Sequence, residues 1–232
     1  MEPRILAIIP AYNEEANIVS TVEDLRQNAP GVDLVVINDG SRDATGDICR
    51  ERGYNCISLP VNLGLAGGFQ TGMKYALRHG YDYAVQFDAD GQHSAAYVLP
   101  LVRHAQETGS NIVIGSRFCA QKKPFSARMV GSALITTMIR LTTGERIEDP
   151  TSGMRLFDRT MIPLFANELD YSPEPDTIAL VARNGAKVSE VQVEMRDRVA
   201  GESYLNFTKS ISYMLRVCFS ILFVQWFRKD PS

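Results

Sequence analysis

The stretch VQFDADGQHS, residues 85–94, places two carboxylates immediately after an apolar run. The run ends at Phe87, and Asp88 and Asp90 follow it with one residue between them. Alternate side chains of an extended chain point to the same side, so we expect the two carboxylates to lie together. Because like charges repel at such a separation, and more strongly away from water, the pair indicates a bound cation.

Short apolar runs alternate with helix-length segments on both sides of this stretch. The predicted strands are residues 5–9, 32–37, 54–58, 82–87 and 112–114. The predicted helices are residues 14–28, 43–52, 67–79 and 95–108. Strands that alternate with helices predict an α/β fold, with a mostly parallel sheet and helices on both faces. Further along, we expect helices near residues 125–141 and 174–184 and a half-buried strand at 190–195.

Polar clusters follow three of the predicted strands, at residues 10–14, 38–43 and 88–93. In mostly parallel sheets, ligands bind outside the carboxyl ends of the strands. The sequence therefore predicts that the three clusters converge on one site.

The Asp88–Asp90 pair suits a hard divalent cation. Mg²⁺ and Mn²⁺ commonly bind one or two protein carboxylates together with phosphate oxygens. Gln92 offers a further carbonyl oxygen and His93 a nitrogen. A solvated turn is the alternative, because DADG is also a favourable turn sequence. The neighbouring polar strand ends favour the metal site.

The sequence contains neither the GxGxxG loop of dinucleotide-binding folds nor the GK[ST] of a P-loop. The turn after the first strand reads PAYNEE, with two acidic residues and no glycine, and NLGLAGGF at 62–69 lacks the GxGxxG spacing. Asp39 follows the second strand, where it can accept a base N–H, with Tyr12 stacking on the base and Glu14 bonding the base or ribose. Turn and helix-cap roles are the alternative for this cluster, with Asn13 and Asp43 as caps.

Composition excludes several classes of function. The chain has 232 residues, of which 45% are hydrophobic, and a formal net charge of −3. This balance argues against a nucleic-acid partner, which requires a basic surface. The four cysteines show no CxxC spacing, so we expect neither a zinc site nor a disulfide framework, and a reducing cytoplasm fits best.

A region without acidic residues lies between Glu107 and Glu145. Its basic residues are Arg117, Lys122, Lys123, Arg128 and Arg140. In a chain of negative net charge, this local excess indicates a binding site for an anionic acceptor, such as a phosphate at a membrane surface. An ordinary solvated basic face is the alternative.

Residues 211–227, ISYMLRVCFSILFVQWF, form an apolar segment that Arg216 interrupts. Its uncharged part, 217–227, is shorter than the roughly 20 residues that span a bilayer. One interpretation is a helix packed on the core. The other is a helix in the membrane interface or against a membrane partner, with the aromatic and basic residues of 226–229 at the headgroups.

Together these motifs resemble those of the family 2 glycosyltransferases. PAYNEE, VVINDGSRDAT, NLGLAGG, FDADGQH, GSRF and DPTSGMRLF occur in the order typical of that family, over roughly residues 5–200. FDADGQH and DPTSGMR are most similar to the branch with dolichyl-phosphate mannose synthase and bacterial polyprenyl-phosphate sugar transferases. The resemblance implies the GT-A fold and an inverting, metal-dependent glycosyltransferase.

The resemblance also implies roles for individual residues. The donor nucleotide is expected to contact Pro10, Tyr12, Glu14, Asp39, Asp88, Ala89 and Asp90. The expected ligands of Mg²⁺ or Mn²⁺ are Asp88, Asp90 and Gln92. The expected acceptor-phosphate residues are Arg117, Arg128 and Ser132. A loop near the diphosphate is expected to contain Arg198, Gly201 and Ser203. The expected catalytic residues are Arg117 and Asp149, the latter where many members have a base.

The implied organisation is a GT-A domain over residues 1–205 and a membrane- or partner-associating helix over 206–232. Within the domain, 1–115 forms the nucleotide-sugar half and 116–205 the acceptor half. Many relatives continue into two or more membrane helices, whereas this chain has one short apolar segment. A separate small membrane protein is therefore an expected partner. SAAYV also replaces a proline-rich stretch that follows the Gln-His of the dolichyl-phosphate branch.

The reaction implied is transfer of a sugar from a nucleotide-diphosphate sugar, UDP-N-acetylglucosamine or UDP-glucose, to polyprenyl (undecaprenyl) phosphate. The expected location is cytoplasmic, on the inner face of the cell membrane. One alternative is a glucosyl- or rhamnosyltransferase acting on a sugar hydroxyl of a cell-surface polysaccharide, which needs Asp149 as base. Another is a non-catalytic nucleotide-sugar-binding subunit. The acidic PAYNEE turn argues against a sugar nucleotidyltransferase, whose corresponding loop is glycine-rich and basic.

Overall fold

The computed structural model describes residues 2–119, 127–168, 171–195 and 207–223. Within them, a seven-stranded sheet has the order β3-β2-β1-β4-β6-β5-β7. The strands are β1 (Ile5–Ala11), β2 (Asp33–Asn38), β3 (Cys56–Ser58), β4 (Tyr83–Gln86), β5 (Ile112–Ser116), β6 (Arg155–Asp158) and β7 (Val188–Gln192). The helices are α1 (Ile18–Asn28), α2 (Thr45–Glu51), α3 (Gly64–His79), α4 (Val98–Thr108), α5 (Ala127–Thr143), α6 (Met161–Asn167), α7 (Pro175–Arg183) and α8 (Phe207–Leu222).

The sheet is mostly parallel, as the sequence predicts. Strand β1 pairs in parallel with β2 and β4, and β5 pairs in parallel with β7. Strand β6 was not predicted, and it runs antiparallel between β4 and β5. Consequently, strands from the first and second halves of the chain belong to one sheet.

Apolar side chains fill both faces of the sheet. On β1, Leu6 and Ile8 face one layer, while Ala7 and Ile9 face the other, and all four are fully buried. This explains the unbroken apolar run at 5–9, because a strand covered on both faces has no polar side to alternate. On the α3–α6 side, Phe157 packs between Phe69 and Phe165, with ring centroids 5.3 and 4.7 Å apart. The prediction of helices on both faces is confirmed.

Several elements begin or end at other residues than the sequence predicts. Helix α1 begins at Ile18 instead of residue 14, because the preceding residues form a turn in which Asn13 has a φ of 55°. Asn13 is therefore not a helix cap, and Asn17 occupies that position. The strand predicted at 190–195 is β7, which begins and ends earlier, and helix α6 was not predicted.

Helix α8 packs against α5 and α7. Its side chains Val217, Cys218 and Ile221 are buried. Its opposite side exposes Leu215 and Phe219, and Phe223, which follows the helix directly, is also exposed. No helix in the described ranges is both long and apolar enough to cross a membrane. The aromatic and basic residues at 226–229 lie outside the described residues.

Candidate active site

A cavity of about 430 Å³ lies at the carboxyl ends of β1, β2 and β4. All the residues expected to contact the donor nucleotide line it: Pro10, Tyr12, Glu14, Asp39, Asp88, Ala89 and Asp90. It is also lined by four residues without an expected role: Ala11, Asn62, Gly64 and Leu65. The three polar clusters therefore meet in one place, as the strand-end rule predicts.

The turns after β1 and β2 are locked together by hydrogen bonds. Asn13 N donates to Ser41 Oγ at 3.0 Å, and Asn13 Oδ1 accepts from Arg42 N at 2.9 Å. Glu14 N donates to Thr45 Oγ1 at 2.9 Å. The two turns thus form one rigid wall, which fixes the backbone that presents Tyr12 and Glu14 to the cavity.

Asp39 is buried at the end of β2, where its carboxylate faces the cavity and a neighbouring loop. Its Oδ1 accepts a hydrogen bond from Leu63 N at 2.7 Å. Beside it, a Cβ on Gly40 would lie 2.7 Å from Asn62 N, so only glycine permits this close approach of the loop. In the part of the chain that the structure describes, Asp39 Oδ2 accepts no hydrogen bond, which leaves it available to a ligand.

The Asp88–Asp90 segment is held from three sides. Thr21 Oγ1 of α1 donates to Ala89 O at 3.1 Å, and Gln86 Nε2 donates to Asp88 Oδ1 at 2.9 Å. Asp90 Oδ1 accepts from the backbone N–H of Gln92 at 3.1 Å. Burial raises the pKa of Asp88 above its usual range, with a smaller contribution from the Asp90 charge. A cation beside the pair offsets both effects.

The residues present fit a divalent metal with phosphate ligands. The described residues contain no group of three or more His, Cys, Asp or Glu side chains placed to hold a metal ion, and the carboxylates that follow β4 are the two of Asp88 and Asp90. Such a donor set is typical of Mg²⁺ bound to a phosphate substrate. A Cβ on Gly153 would lie 2.2 Å from Asp88 Oδ2, so this glycine keeps the space beside the carboxylate open.

His93 and Gln92 lie next to this pair, and each makes one hydrogen bond within the turn. His93 Nδ1 accepts a hydrogen bond from Asp88 N at 3.3 Å, so this nitrogen supports the backbone and is not free for a metal. Gln92 contacts Asp90 through its backbone N–H. Its side-chain oxygen as a metal ligand remains a prediction.

A second cluster surrounds Asp149, which is fully buried. Asp149 Oδ2 accepts from Arg117 Nε at 2.7 Å, and Oδ1 accepts from Arg117 Nη2 at 2.8 Å. The backbone N–H of Arg117 also donates to Oδ2, at 3.1 Å. The two expected catalytic residues are therefore together, but as a bidentate ion pair. This pairing was not apparent from the sequence, in which they are 32 positions apart.

Arg155, at the start of β6, is a buried cation beside both clusters. Its Nη2 donates to Pro150 O at 2.7 Å and its Nη1 donates to Pro173 O. Burial lowers the pKa of its guanidinium, while the nearby carboxylates of Asp88 and Asp149 raise it. Arg155 therefore joins the turn that follows Asp149 to the segment before α7. Sequence reasoning did not single it out.

The remaining expected acceptor residues are described only in part. Ser132 is buried in α5, and its Oγ has no hydrogen-bond partner in the described ranges. Arg128 lies in α5, but its side chain is outside the described residues. Five further expected residues lie outside the described residues altogether: Lys122, Lys123, Arg198, Gly201 and Ser203.

Comparison with known proteins agrees with this architecture. A mannosyltransferase from Pyrobaculum calidifontis, solved in complex with GDP-Man and Mn²⁺, aligns over 100% of this chain and 66% of its own. The TM-score is 0.69 at 16% identity, which shows a shared fold. An undecaprenyl-phosphate mannosyltransferase from Micrococcus luteus is 33% identical over 218 residues, 88% of each protein.

A UDP-N-acetylglucosamine–dolichyl-phosphate N-acetylglucosaminyltransferase from Methanococcus voltae is 28% identical over 82% of this chain and 84% of the relative. The family model described as glycosyl transferase family 2 matches residues 6–163. That match includes β1 through β6 and therefore the whole cavity and the Arg117–Asp149 pair. The chain belongs to glycosyl transferase family 2 and is a glycosyltransferase of the GT-A fold.

Proposed function

We propose that the protein transfers a sugar from a nucleotide-diphosphate sugar to a polyprenyl phosphate, with inversion at the anomeric carbon. The observation that carries this proposal is a single turn, residues 149–153, which contacts both clusters. At one end, Asp149 binds Arg117. At the other, Gly153 lies against Asp88 Oδ2. Asp88, a proposed metal ligand, and the guanidinium of Arg117 therefore lie at opposite ends of one turn. This arrangement suits a reaction in which the donor and the acceptor each carry phosphate.

The carboxylate pair serves the donor. Asp88 and Asp90 would hold a Mg²⁺ or Mn²⁺ ion, which would supply Lewis-acid stabilisation of the diphosphate leaving group. The Mn²⁺ in the related Pyrobaculum structure supports this choice of metal. The chain's own residues fix the pair through Gln86 and Thr21, so little reorganisation is needed when charge develops on the diphosphate.

The geometry of Asp39 favours uracil as the donor base. Uracil presents one N–H between two carbonyls, whereas guanine presents two adjacent N–H donors that suit both oxygens of a carboxylate. Leu63 N donates to Asp39 Oδ1, so a single N–H of the base to Oδ2 gives each carboxylate oxygen one hydrogen bond, which suits uracil. We therefore propose a UDP-sugar, UDP-N-acetylglucosamine or UDP-glucose, as donor. The name of the Methanococcus voltae relative includes such a donor.

The state of Asp149 favours a phosphate acceptor over a hydroxyl. A general base needs an oxygen within reach of the acceptor proton, but both oxygens of this buried carboxylate already accept hydrogen bonds from Arg117. A lipid phosphate is an anion near neutral pH and attacks without a base. The side chain of Arg117 is 22% exposed, which allows it to meet such an anion. The relatives from Micrococcus luteus and Methanococcus voltae are both named for polyprenyl-type phosphates.

Helices α5 and α8 support a location on a membrane. They expose Leu134 and Leu141 on α5, and Leu215 and Phe219 on α8. Neither helix contains an acidic residue, and both contain basic ones. Exposed apolar side chains with basic neighbours suit an interface of anionic lipids. We propose peripheral binding through 206–232 at the inner face of the membrane, with a small membrane protein as an additional anchor.

The test is a transfer assay with a panel of donors. The protein is incubated with Mn²⁺ and UDP-glucose, UDP-N-acetylglucosamine, GDP-mannose or dTDP-rhamnose, with or without undecaprenyl phosphate in detergent. Products are identified by mass spectrometry. We expect a sugar–phosphate–lipid from a UDP-sugar. Lipid product from GDP-mannose alone contradicts the assignment of the base. Metal-dependent donor hydrolysis without lipid product under every condition contradicts the assignment of the acceptor.

A further inference from the structure

Strand β7 presents two side chains to the Arg117–Asp149 pair. Glu190 Oε1 accepts a hydrogen bond from Asp149 N at 2.8 Å, and its Oε2 accepts one from Glu148 N at 2.7 Å. Two residues further along, Gln192 Nε2 donates to Arg117 O at 2.9 Å. Because alternate residues of a strand share one face, β7 holds the backbones of both members of the ion pair.

The environment of Glu190 shows that its carboxylate is committed to this contact. It pairs in register with Ile114 of β5, and the hydroxyl of Ser116 on the same strand helps to lower its pKa. Burial raises the pKa of Glu190, and the backbone N–H groups of Glu148 and Asp149 lower it. Because its two oxygens accept from consecutive backbone N–H groups, this carboxylate fixes the backbone of residues 148–149; we call this pair of contacts the clamp.

We propose that Glu190 is a positioning residue for the acceptor: it fixes the backbone at Asp149, and Asp149 in turn fixes the guanidinium of Arg117. This inference rests on the proposed function, in which Arg117 binds the acceptor phosphate. The connection is short and fully described. Each link is a hydrogen bond of 2.7 to 2.8 Å: the backbone N–H groups of Glu148 and Asp149 donate to Glu190, and Arg117 donates to the Asp149 carboxylate.

Such a clamp affects catalysis through orientation. The turn that contains Asp149 joins no strand at that point, so its backbone position depends on contacts of this kind. A displacement of about 1 Å at a reacting group can reduce a rate by about a hundredfold. Loss of the Glu190 contacts therefore weakens use of the acceptor, while Asp88 and Ala89 keep their hydrogen bonds to Gln86 and Thr21, which do not involve residues 148–149.

The test uses Glu190→Gln, which preserves shape but replaces one acceptor oxygen with an NH₂ group. One of the two backbone N–H groups then faces a donor. Glu194→Gln is the matched control, because Glu194 is exposed just beyond the same strand. We expect kcat/KM for undecaprenyl phosphate to fall about tenfold to a hundredfold in Glu190→Gln, mainly through KM. Metal-dependent donor hydrolysis should stay within about twofold of wild type.

A second readout is independent of turnover. In the wild type, the Nε–H of Arg117 is held on a buried carboxylate and should give a solvent-protected NMR signal, assigned by its loss in Arg117→Lys. We expect Glu190→Gln to abolish that protection and Glu194→Gln to preserve it. Glu190→Asp keeps the charge but shortens the side chain, so we expect protection of the Arg117 Nε–H between that of the wild type and that of Glu190→Gln. This variant replaces Glu190→Gln in the test if the latter does not fold.

The outcomes separate the two claims. If the wild type does not use a lipid phosphate, the proposed function fails, while the NMR signal still decides whether Glu190 orients Arg117. If the wild type does use it, an unchanged acceptor KM and an unchanged Arg117 signal in Glu190→Gln overturn the inference. An equal loss of donor hydrolysis and acceptor transfer also overturns it, because that result indicates a general structural role.

Discussion

Replacing Asp149 with asparagine separates an anchoring carboxylate from a catalytic base. Asp149 is fully buried and accepts hydrogen bonds from Arg117 N, Nε and Nη2 at 3.1, 2.7 and 2.8 Å. An asparagine retains one oxygen but places an NH₂ group where the other oxygen was. At least one donor of Arg117 then faces another donor, and the guanidinium charge loses its counter-ion.

The expected loss in the free energy of unfolding follows from the burial of the Arg117–Asp149 pair. Removing one partner of a buried ion pair costs about 3–5 kcal/mol. Because the Arg117 side chain is 22% exposed, water screens part of its charge, and we expect the lower end of that range, about 3 kcal/mol. For a chain of this size, each kcal/mol lowers the Tm by about 2–4 °C, so the expected decrease is about 6–12 °C.

The assay combines thermal denaturation with steady-state kinetics on undecaprenyl phosphate at saturating donor. We expect Asp149→Asn to raise the acceptor KM at least tenfold, because Arg117 is no longer oriented, and to retain measurable transfer. Glu145→Gln, which changes an exposed carboxylate nearby, is the control and should resemble the wild type. A wild-type Tm and acceptor KM, together with a kcat reduced by about a thousandfold or more, would refute the reasoning and identify Asp149 as a base.

Further substitutions test the other parts of the site. Gly153→Ala places a Cβ 2.2 Å from Asp88 Oδ2, so it should weaken Mn²⁺ binding in calorimetry at least tenfold; an unchanged Kd contradicts the packing described for this turn. Asp90→Ala should remove metal-dependent donor hydrolysis, and full activity of this variant in the presence of EDTA excludes the metal mechanism. Phe219→Ser combined with Phe223→Ser should reduce flotation with anionic liposomes without lowering the Tm by more than about 2 °C, because both rings are exposed; unchanged flotation removes α8 from the proposed membrane contact.

The sequence was sufficient to predict the strands β1, β2 and β4 and the polar residues that follow them, which line the proposed donor cavity. Strands covered on both faces give unbroken apolar runs, and the strand-end rule alone predicts that Asp39, Asp88 and Asp90 lie together. These features depend on local pattern and on a topology that parallel sheets share. In the strands and strand ends that form the cavity, the structure that the local sequence favours is the one that the whole fold requires.

The acceptor side was less predictable because its contacts are tertiary. Strand β6 has four residues, RLFD, and begins with the buried Arg155, so it has no alternating pattern; pairing with β4 and β5 defines it. Glu190 was recognised as part of a strand, but its contact with residues 148–149 crosses 41 or 42 positions of sequence. The pairing of Asp149 with Arg117 is hidden for the same reason.

The central claim is that the acceptor is a phosphate and not a hydroxyl. It is tested most directly by comparing undecaprenyl phosphate with undecaprenol, which differ only in the attacking group, using the wild-type protein, Mn²⁺ and the active donor. We expect a glycosylated lipid from undecaprenyl phosphate and none from undecaprenol, because both carboxylate oxygens of Asp149 already accept hydrogen bonds from Arg117. Comparable product from undecaprenol would contradict it.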